Sequence, residues 1–600
     1  MEKKAFVLLI FLSFNYIYPC TNFIVTKGAS VDGSTILTYT ADSFTLYGEL
    51  YFYPPAIYPN GTMLDVYEWD TGKFLGRIKQ APQTYKVVGN MNEHQLVIAE
   101  TTFGGREELI NPDGILDYGS LIYITLQRAK TAREAIKIMI DLVEEYGYRS
   151  SGESISIVDP NEAWILEIIG KGKGSKGAIY VAIKIPDGSV SAHANQARIQ
   201  KFPLNDPKNC IYAPDVISFA RQKGYFNGKD EDFDFAQAYN PLDFGGIRFC
   251  DARVWSLFRR VNSQMDKYIS YIKGESLERM PLWIKPDRKL SVQDIMQLMR
   301  DHYQGTELDM TIGVAAGPYN MPYRWRPLVW EYKGEKYFNE RPISTPQTAF
   351  SFVAQVRSYL PNEVGGVLWF GVDDTYFTVY VPLYCSISEP PYNFKQGIGS
   401  LSHFDWNSMF WTFNVVSNYC YPKFSQTIGD VQKVQRELEG EFLANQETIE
   451  KKAIELLKRS KADAIEYLTQ YSHRTTEKTH KRWQLLWQEL NVKYLDGIQK
   501  DEFYRPKNIG YPEEFKAKIL AENPEKYKYK TLDIEKNEQI SDLIRKAEEA
   551  LKEKKFKEAK SYFEKVLKLD ANNENAKVNI QKIDKTLEEI NKIYNNIFTK

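Results

Sequence analysis

The chain has 600 residues, 43% of them hydrophobic and 26% charged, and a formal net charge of −1. Those figures describe a soluble globular protein with room for two to four domains. They leave no basic excess to meet phosphates, so nucleic acid is excluded as an electrostatic partner. The first element is an apolar run, Ala5 to Leu12, behind Lys3 and Lys4. It has the layout of an export signal and is too short for a good membrane span. Residues 1–19 are therefore read as a signal peptide or propeptide. The remainder is expected to be exported, periplasmic or extracellular, with no stable membrane insertion. Pro19 departs from the small residues usual before a cut, so an earlier cut followed by trimming, by Cys20 itself or otherwise, stays open.

Removal of that segment leaves Cys20 as the first residue, with a thiol and a free α-amine on one carbon. The thiol (~8.5) is a strong nucleophile only as thiolate, and the amine (~7.7–8.0) titrates in the range that lets it take the proton. Thr21 to Thr26 and Thr35 to Thr40 are β-branched, strand-like runs, with Asp32-Gly33 as the turn between them. The hairpin puts a residue between about Ala41 and Thr45 opposite Cys20. Asp42 is thereby brought beside the new terminus, where a carboxylate can hold the amine.

The stretch Cys20-Thr21-Asn22-Phe23-Ile24-Val25-Thr26-Lys27, with Gly28-Ala29-Ser30-Val31-Asp32-Gly33-Ser34 after it, resembles the N-terminal motif of the dipeptidase A family, relatives of the secernins. The similarity runs over roughly Cys20 to Pro422. It implies an N-terminal-nucleophile cysteine hydrolase with an α+β fold, an αββα sandwich of two sheets between helices. It implies short peptides as substrates, dipeptides above all, and no metal or organic cofactor. Bile-salt hydrolases and penicillin acylases of the same superfamily carry an arginine three residues before the aspartate. Tyr39 stands there in this chain, which weighs against an acylase.

Tyr47 to Tyr85 reads as strands and loops, and Gly89 to Gln95 as a turn leading into the apolar run Leu96 to Ala99. The resemblance makes Asn92 in this turn the oxyanion-hole asparagine, an uncharged donor for a tetrahedral intermediate. Glu100 to Arg106 is placed in the substrate wall. Thr131 to Tyr146 has helical spacing, and Ser154–Val158 with Ala163–Ile169 makes a hairpin. The glycine- and lysine-rich loop Gly170 to Gly177 lacks the ending of a phosphate loop and is read as solvated. His193-Ala194-Asn195 admits a papain-like Cys/His/Asn alternative. The resemblance instead makes Asn195 a second polar residue at the nucleophile and leaves His193 structural. It also puts Arg253 near the nucleophile, where a buried guanidinium can position the amine and favour the thiolate. Ser291 to His302 is an amphipathic helix; Thr348–Val356, Gly365–Val372 and Thr375–Val381 are expected as strands.

Cys210, Cys250, Cys385 and Cys420 allow two disulfides in any of three pairings, or free thiols. After Thr427 apolar residues step by three and four, predicting a helical extension over 428–496. A linker or surface wrap (497–535) and a helical hairpin (536–600) resembling a single tetratricopeptide repeat follow, behind a peptidase domain at 20–427. The sequence thus points to a secreted cysteine dipeptidase using Cys20, Asp42, Asn92, Asn195 and Arg253. The alternatives are an acylase for N-acylated small molecules and a non-catalytic secreted scaffold. A homo-oligomer is left open.

Overall fold

The computed structural model describes residues 20–529 and 533–598; residues 1–19, read above as an export segment, lie outside them. Two compact units divide after Gly510. Two sheets form the centre of the first. Their strands begin with β1 (Asn22–Val25), β2 (Thr35–Asp42), β3 (Phe52–Tyr53), β4 (Val87–Val88) and β5 (Met91–Asn92). There follow β6 (Val97–Gly104), β7 (Gly152–Val158), β8 (Ala163–Ile169), β9 (Ile179–Lys184) and β10 (Val190–His193). The last are β11 (Cys210–Tyr212), β12 (Trp283–Ile284), β13 (Thr348–Val356), β14 (Val367–Val372) and β15 (Val381–Tyr384). One sheet runs β12-β10-β1-β2-β13-β14-β15, the other β11-β9-β8-β7-β6-β5-β4-β3.

The sheets stack, so β1 and β2 are buried along their whole length. Polar groups trapped between the layers pair with one another, as buried polar groups must. The Asn22 amide donates to the carbonyls of Thr21 (3.1 Å) and Glu100 (3.3 Å) and accepts from Glu100 N (3.3 Å), and His193 bridges Ser156 Oγ (2.6 Å) and Thr101 Oγ1 (2.8 Å). The first hairpin has the expected register, with Ile24 opposite Leu37 and a bridge between Thr21 and Thr40. One step further puts Ala41 across from Cys20. The hydroxyls of Thr38 and Thr40 take the N–H groups of Phe23 (2.9 Å) and Thr21 (3.1 Å), so these buried threonines hold the strand start in place.

Helices cover both sheets. Helix α1 (Tyr118–Leu126), capped by Asp117, and α2 (Ala132–Tyr146), capped by Thr131, lie on the eight-stranded sheet. Against the seven-stranded sheet pack α3 (Ala252–Val261), α4 (Val292–Leu298), α5 (Met409–Cys420), α6 (Phe424–Leu457) and α7 (Lys461–Lys493). A reciprocal Ser291–Asp294 cap starts α4. The α6–α7 pair, expected as an extension, belongs to this unit. Two buried, forked ion pairs fasten α6 down: Arg300 with Glu439, and Arg357 with Glu450 (2.8 and 2.6 Å).

The strand expected at Thr375–Val381 is corrected. The chain turns at Asp373 (φ 65°) and strand geometry resumes only at Val381. Side chains satisfy this turn instead of a neighbouring strand: Arg300 donates to the carbonyls of Thr375 and Thr378, and Thr378 Oγ1 accepts from Val372 N. All five cysteines are free thiols. Among the described residues no helix is long and apolar enough to cross a membrane.

The second unit carries α8 (Ile534–Lys552), α9 (Phe556–Leu569) and α10 (Glu574–Phe598). Its own small core joins Ala547, Ala559, Phe563, Val566, Ala576 and Ile583. The hairpin pattern over Ala547 to Asp570 corresponds to the α8–α9 turn, with a third helix closing over it.

Candidate active site

Cys20 lies just ahead of β1 and its side chain is buried. Arg253, on α3, fixes the main chain there. Its Nη1 donates to Cys20 O (2.5 Å) and Thr21 Oγ1 (2.8 Å), and its Nη2 to Ala194 O (3.0 Å) and Asn195 Oδ1 (2.9 Å). Nε binds Phe249 O at 2.8 Å, so the fork is used on every side. Burial and the neighbouring Arg341 lower this guanidinium to about 10, which still leaves it charged at neutral pH. Asn195 follows β10 in the left-handed region (φ 68°), a conformation asparagine tolerates. Its Nδ2 donates to Thr102 O at 2.8 Å. Asn195 thus ties the cysteine's sheet to β6 of the other.

The sulfur faces Tyr39 Oη at 3.7 Å and Glu100 Oε1 at 3.6 Å, and Tyr39 donates to the same Glu100 oxygen at 2.6 Å. The backbone of Asp42, at the end of β2, favours the thiolate. The Asp42 carboxylate is engaged elsewhere, by Arg341 Nη2 (2.6 Å), Thr348 Oγ1 (2.6 Å) and Thr40 Oγ1 (2.9 Å). Behind Glu100 stands Glu153 on β7, whose Oε1 accepts from Thr102 Oγ1 at 2.8 Å. The two carboxyls are buried, and Glu100 Oε2 and Glu153 Oε2 meet no donor group, which leaves the carboxyls to hydrogen-bond to each other.

These contacts set the electrostatics. Burial first, then the charges of Glu100 and Asp42, push the Cys20 thiol well above its ordinary value. Burial lifts both glutamates too, with Glu153 raised further by the charge of Glu100. Asp70, bonded by Tyr118 Oη at 2.9 Å, adds to the negative surroundings. An aromatic wall adjoins: Trp69 stacks on Tyr123 at 4.5 Å, and Tyr51 meets both edge-on or tilted.

Of the residues expected at the site, the structure brings Cys20, Asp42, Asn195 and Arg253 together. Asn92 is corrected. Its Nδ2 donates to Leu126 O (2.8 Å) and Ala129 O (2.7 Å), and its Oδ1 accepts from His94 N (3.0 Å) and Leu96 N (3.2 Å). The amide is consumed in tying its turn to the C-terminal end of α1. Tyr118, the residue of α1 within electrostatic reach of Cys20, starts the other end, about 12 Å along the axis. His193 is likewise occupied by Thr101 and Ser156, and burial with Arg198 nearby lowers it to about 3, so its ring is neutral.

Tyr39, Glu153 and Arg341 were not among the expected site residues, and Glu100 only as part of a wall. The legible signal was a carboxylate inside an apolar strand, in Val97-Ile98-Ala99-Glu100. A buried acid is costly, and a function is one reason to keep it.

A family model described as peptidase family C69 matches residues 49–437. The hairpin with Cys20 and Asp42 lies ahead of that match. A probable dipeptidase of Salmonella dublin is 26% identical over 404 residues, 64% of this chain and 85% of the relative. One of Latilactobacillus sakei is 25% identical over 478 residues, covering 76% and 91%. A probable dipeptidase B of Streptococcus pyogenes serotype M1 is 24% identical over 492 residues, covering 78% and 91%. With well over half its length in the family match and relatives that align along most of theirs, the chain belongs to peptidase family C69.

Proposed function

We propose that this chain is an exported cysteine dipeptidase of the N-terminal-nucleophile type, activated when residues 1–19 are removed. The observation that carries the reading is the placement of the Cys20 sulfur, 3.6–3.7 Å from Glu100 and Tyr39 at the start of a central buried strand. The names of the relatives support dipeptides as substrates.

In the intact chain the Cys20 nitrogen is an amide and cannot accept a proton. Cleavage makes it an amine, with an ordinary value of ~7.7–8.0, attached to the residue that needs a base. The amine takes the thiol proton as sulfur attacks the scissile carbonyl, forming a tetrahedral adduct. The backbone N–H of Asp42, at the end of β2 beside the sulfur, is the donor assigned to its oxyanion. Collapse breaks the C–N bond, the ammonium protonates the leaving nitrogen, and a thioester remains. Water then attacks the thioester, returns a proton to sulfur and releases the amino acid. Arg253 and Asn195 act as positioning residues by fixing the Cys20 carbonyl and the approach of the two sheets. Asp42, held by Arg341 and Thr348, fixes the end of β2 beside the nucleophile.

The test compares the processed wild type with Cys20→Ala on a panel of free dipeptides and N-acylated amino acids. Hydrolysis of the dipeptides and its loss in Cys20→Ala are expected. A processed Cys20→Ala protein that still turns over dipeptides contradicts the reading, and turnover confined to N-acylated compounds makes the chain an acylase.

A further inference from the structure

We infer that the buried carboxyl pair Glu100–Glu153 is the receptor for the α-ammonium of the substrate, and so restricts the enzyme to peptides with a free amino terminus. This rests on the reading above that Cys20 attacks a peptide carbonyl. The geometry follows from bond lengths. An attacked carbonyl carbon lies about 3–3.5 Å from sulfur in a near-attack pose. The α-nitrogen of the same residue is about 2.5 Å from that carbon. Glu100 Oε1 is 3.6 Å from the same sulfur, so an amino group two bonds from the reacting carbon comes within reach of the carboxylate.

The pair has the chemistry of an ammonium site. An ammonium brings three donors, and two acceptor oxygens here, Glu100 Oε2 and Glu153 Oε2, are buried without a donor group. Among the described residues neither glutamate takes part in an ion pair. The further charge acting on both is that of Asp70, again negative. Raised as they are by burial, the two carboxyls by themselves retain a proton between them, which an arriving cation replaces. An N-acylated peptide offers one amide N–H and no charge, so it leaves the buried pair uncompensated. A dipeptide is then measured from its amino end, with the first peptide carbonyl delivered to Cys20.

The processed chain contains one other candidate ammonium, that of Cys20 itself. As the general base it must become neutral in each cycle, and two carboxylates beside it would hold its proton on. The substrate is therefore the better occupant, and experiment separates the two sources.

The test measures binding to the processed Cys20→Ala protein, alone and combined with Glu100→Gln or Glu153→Gln. The ligands are alanylphenylalanine and propionylphenylalanine, which differ only in the amino group. In the parent, the amine-bearing ligand is expected to bind about 100-fold more tightly, in the range that loss of a buried charge partner produces. In each glutamine variant that ratio should fall to within about fivefold. Because the ratio is taken on one preparation, partial unfolding cancels. A ratio near one in the parent, or one that survives both substitutions, overturns the inference. Equal weakening of both ligands assigns the pair to the chain's own amine and also overturns it. Failure of the cysteine reading shows separately, as hydrolysis of alanylphenylalanine by the Cys20→Ala protein.

Discussion

Replacing Glu100 by glutamine should make Cys20 more reactive and the enzyme less active. The carboxylate oxygen lies 3.6 Å from the sulfur, and burial aside it is the largest contributor to the raised thiol. Two unit charges at that distance, in an effective dielectric of about 20, interact by about 4–5 kcal/mol. The hydrogen bond from Tyr39 and the proton held with Glu153 screen roughly half of this, leaving about 2 kcal/mol. A more acidic thiol is also a weaker nucleophile, with a Brønsted slope of ~0.4–0.5, so about half of that energy appears in a rate. The expected gain is therefore about five- to tenfold in alkylation of Cys20 at neutral pH. The assay is iodoacetamide labelling followed by peptide mass spectrometry on the processed chain. Cys210, Cys385 and Cys420, each pushed up to about 12 by burial, serve as internal references. Dipeptide turnover measured alongside should drop, because the receptor for the substrate amine is lost. An alkylation rate at or below wild type refutes the assignment of Glu100 as the charge that restrains the thiol.

Asn92→Ala strands four backbone groups and should cost about 2–4 kcal/mol in urea unfolding, while turnover per folded molecule stays within a few-fold of wild type. Glu439→Ala leaves Arg300 buried and uncompensated and should cost about 3–5 kcal/mol in the same unfolding assay. His193, lowered to about 3 in the fold, contributes stability that is present above its unfolded value of about 6.5 and lost as pH falls towards 3. His193→Gln removes that dependence, so its stability between pH 6.5 and 4 should fall less steeply than that of wild type in urea titrations.

The parts of the fold that sequence makes legible are those set by neighbours in the chain. The first hairpin is one: Asp32 Oδ1 accepts Ser34 N at 3.1 Å and Gly33 takes φ 76°, both implicit in Asp-Gly. The caps of α1, α2 and α4 are others. The site is harder because its partners are remote. Arg341 reaches Asp42 across 299 residues, and nothing near either position announces the other. Asn92 shows the opposite trap. A polar residue in a turn before a buried strand suits an oxyanion donor, but its amide is spent on carbonyls 34 and 37 residues away. Glu100 and Glu153 face each other across neighbouring strands, and pairing of β6 with β7 was needed to see them as one feature. The strand expected at Thr375–Val381 failed for a related reason: an arginine from another element supplies the turn's hydrogen bonds.

The N-terminal role of Cys20 can be tested by one comparison. Two proteins are prepared with verified first residues, one starting at Cys20 and one with a single alanine ahead of it. The second keeps the thiol and the fold and turns the α-amine into an amide, which accepts no proton near neutral pH. Dipeptide hydrolysis should be nearly abolished in it, with thermal unfolding and Cys20 alkylation still measurable. Equal turnover by the two proteins would contradict the assignment of the Cys20 amine as the base.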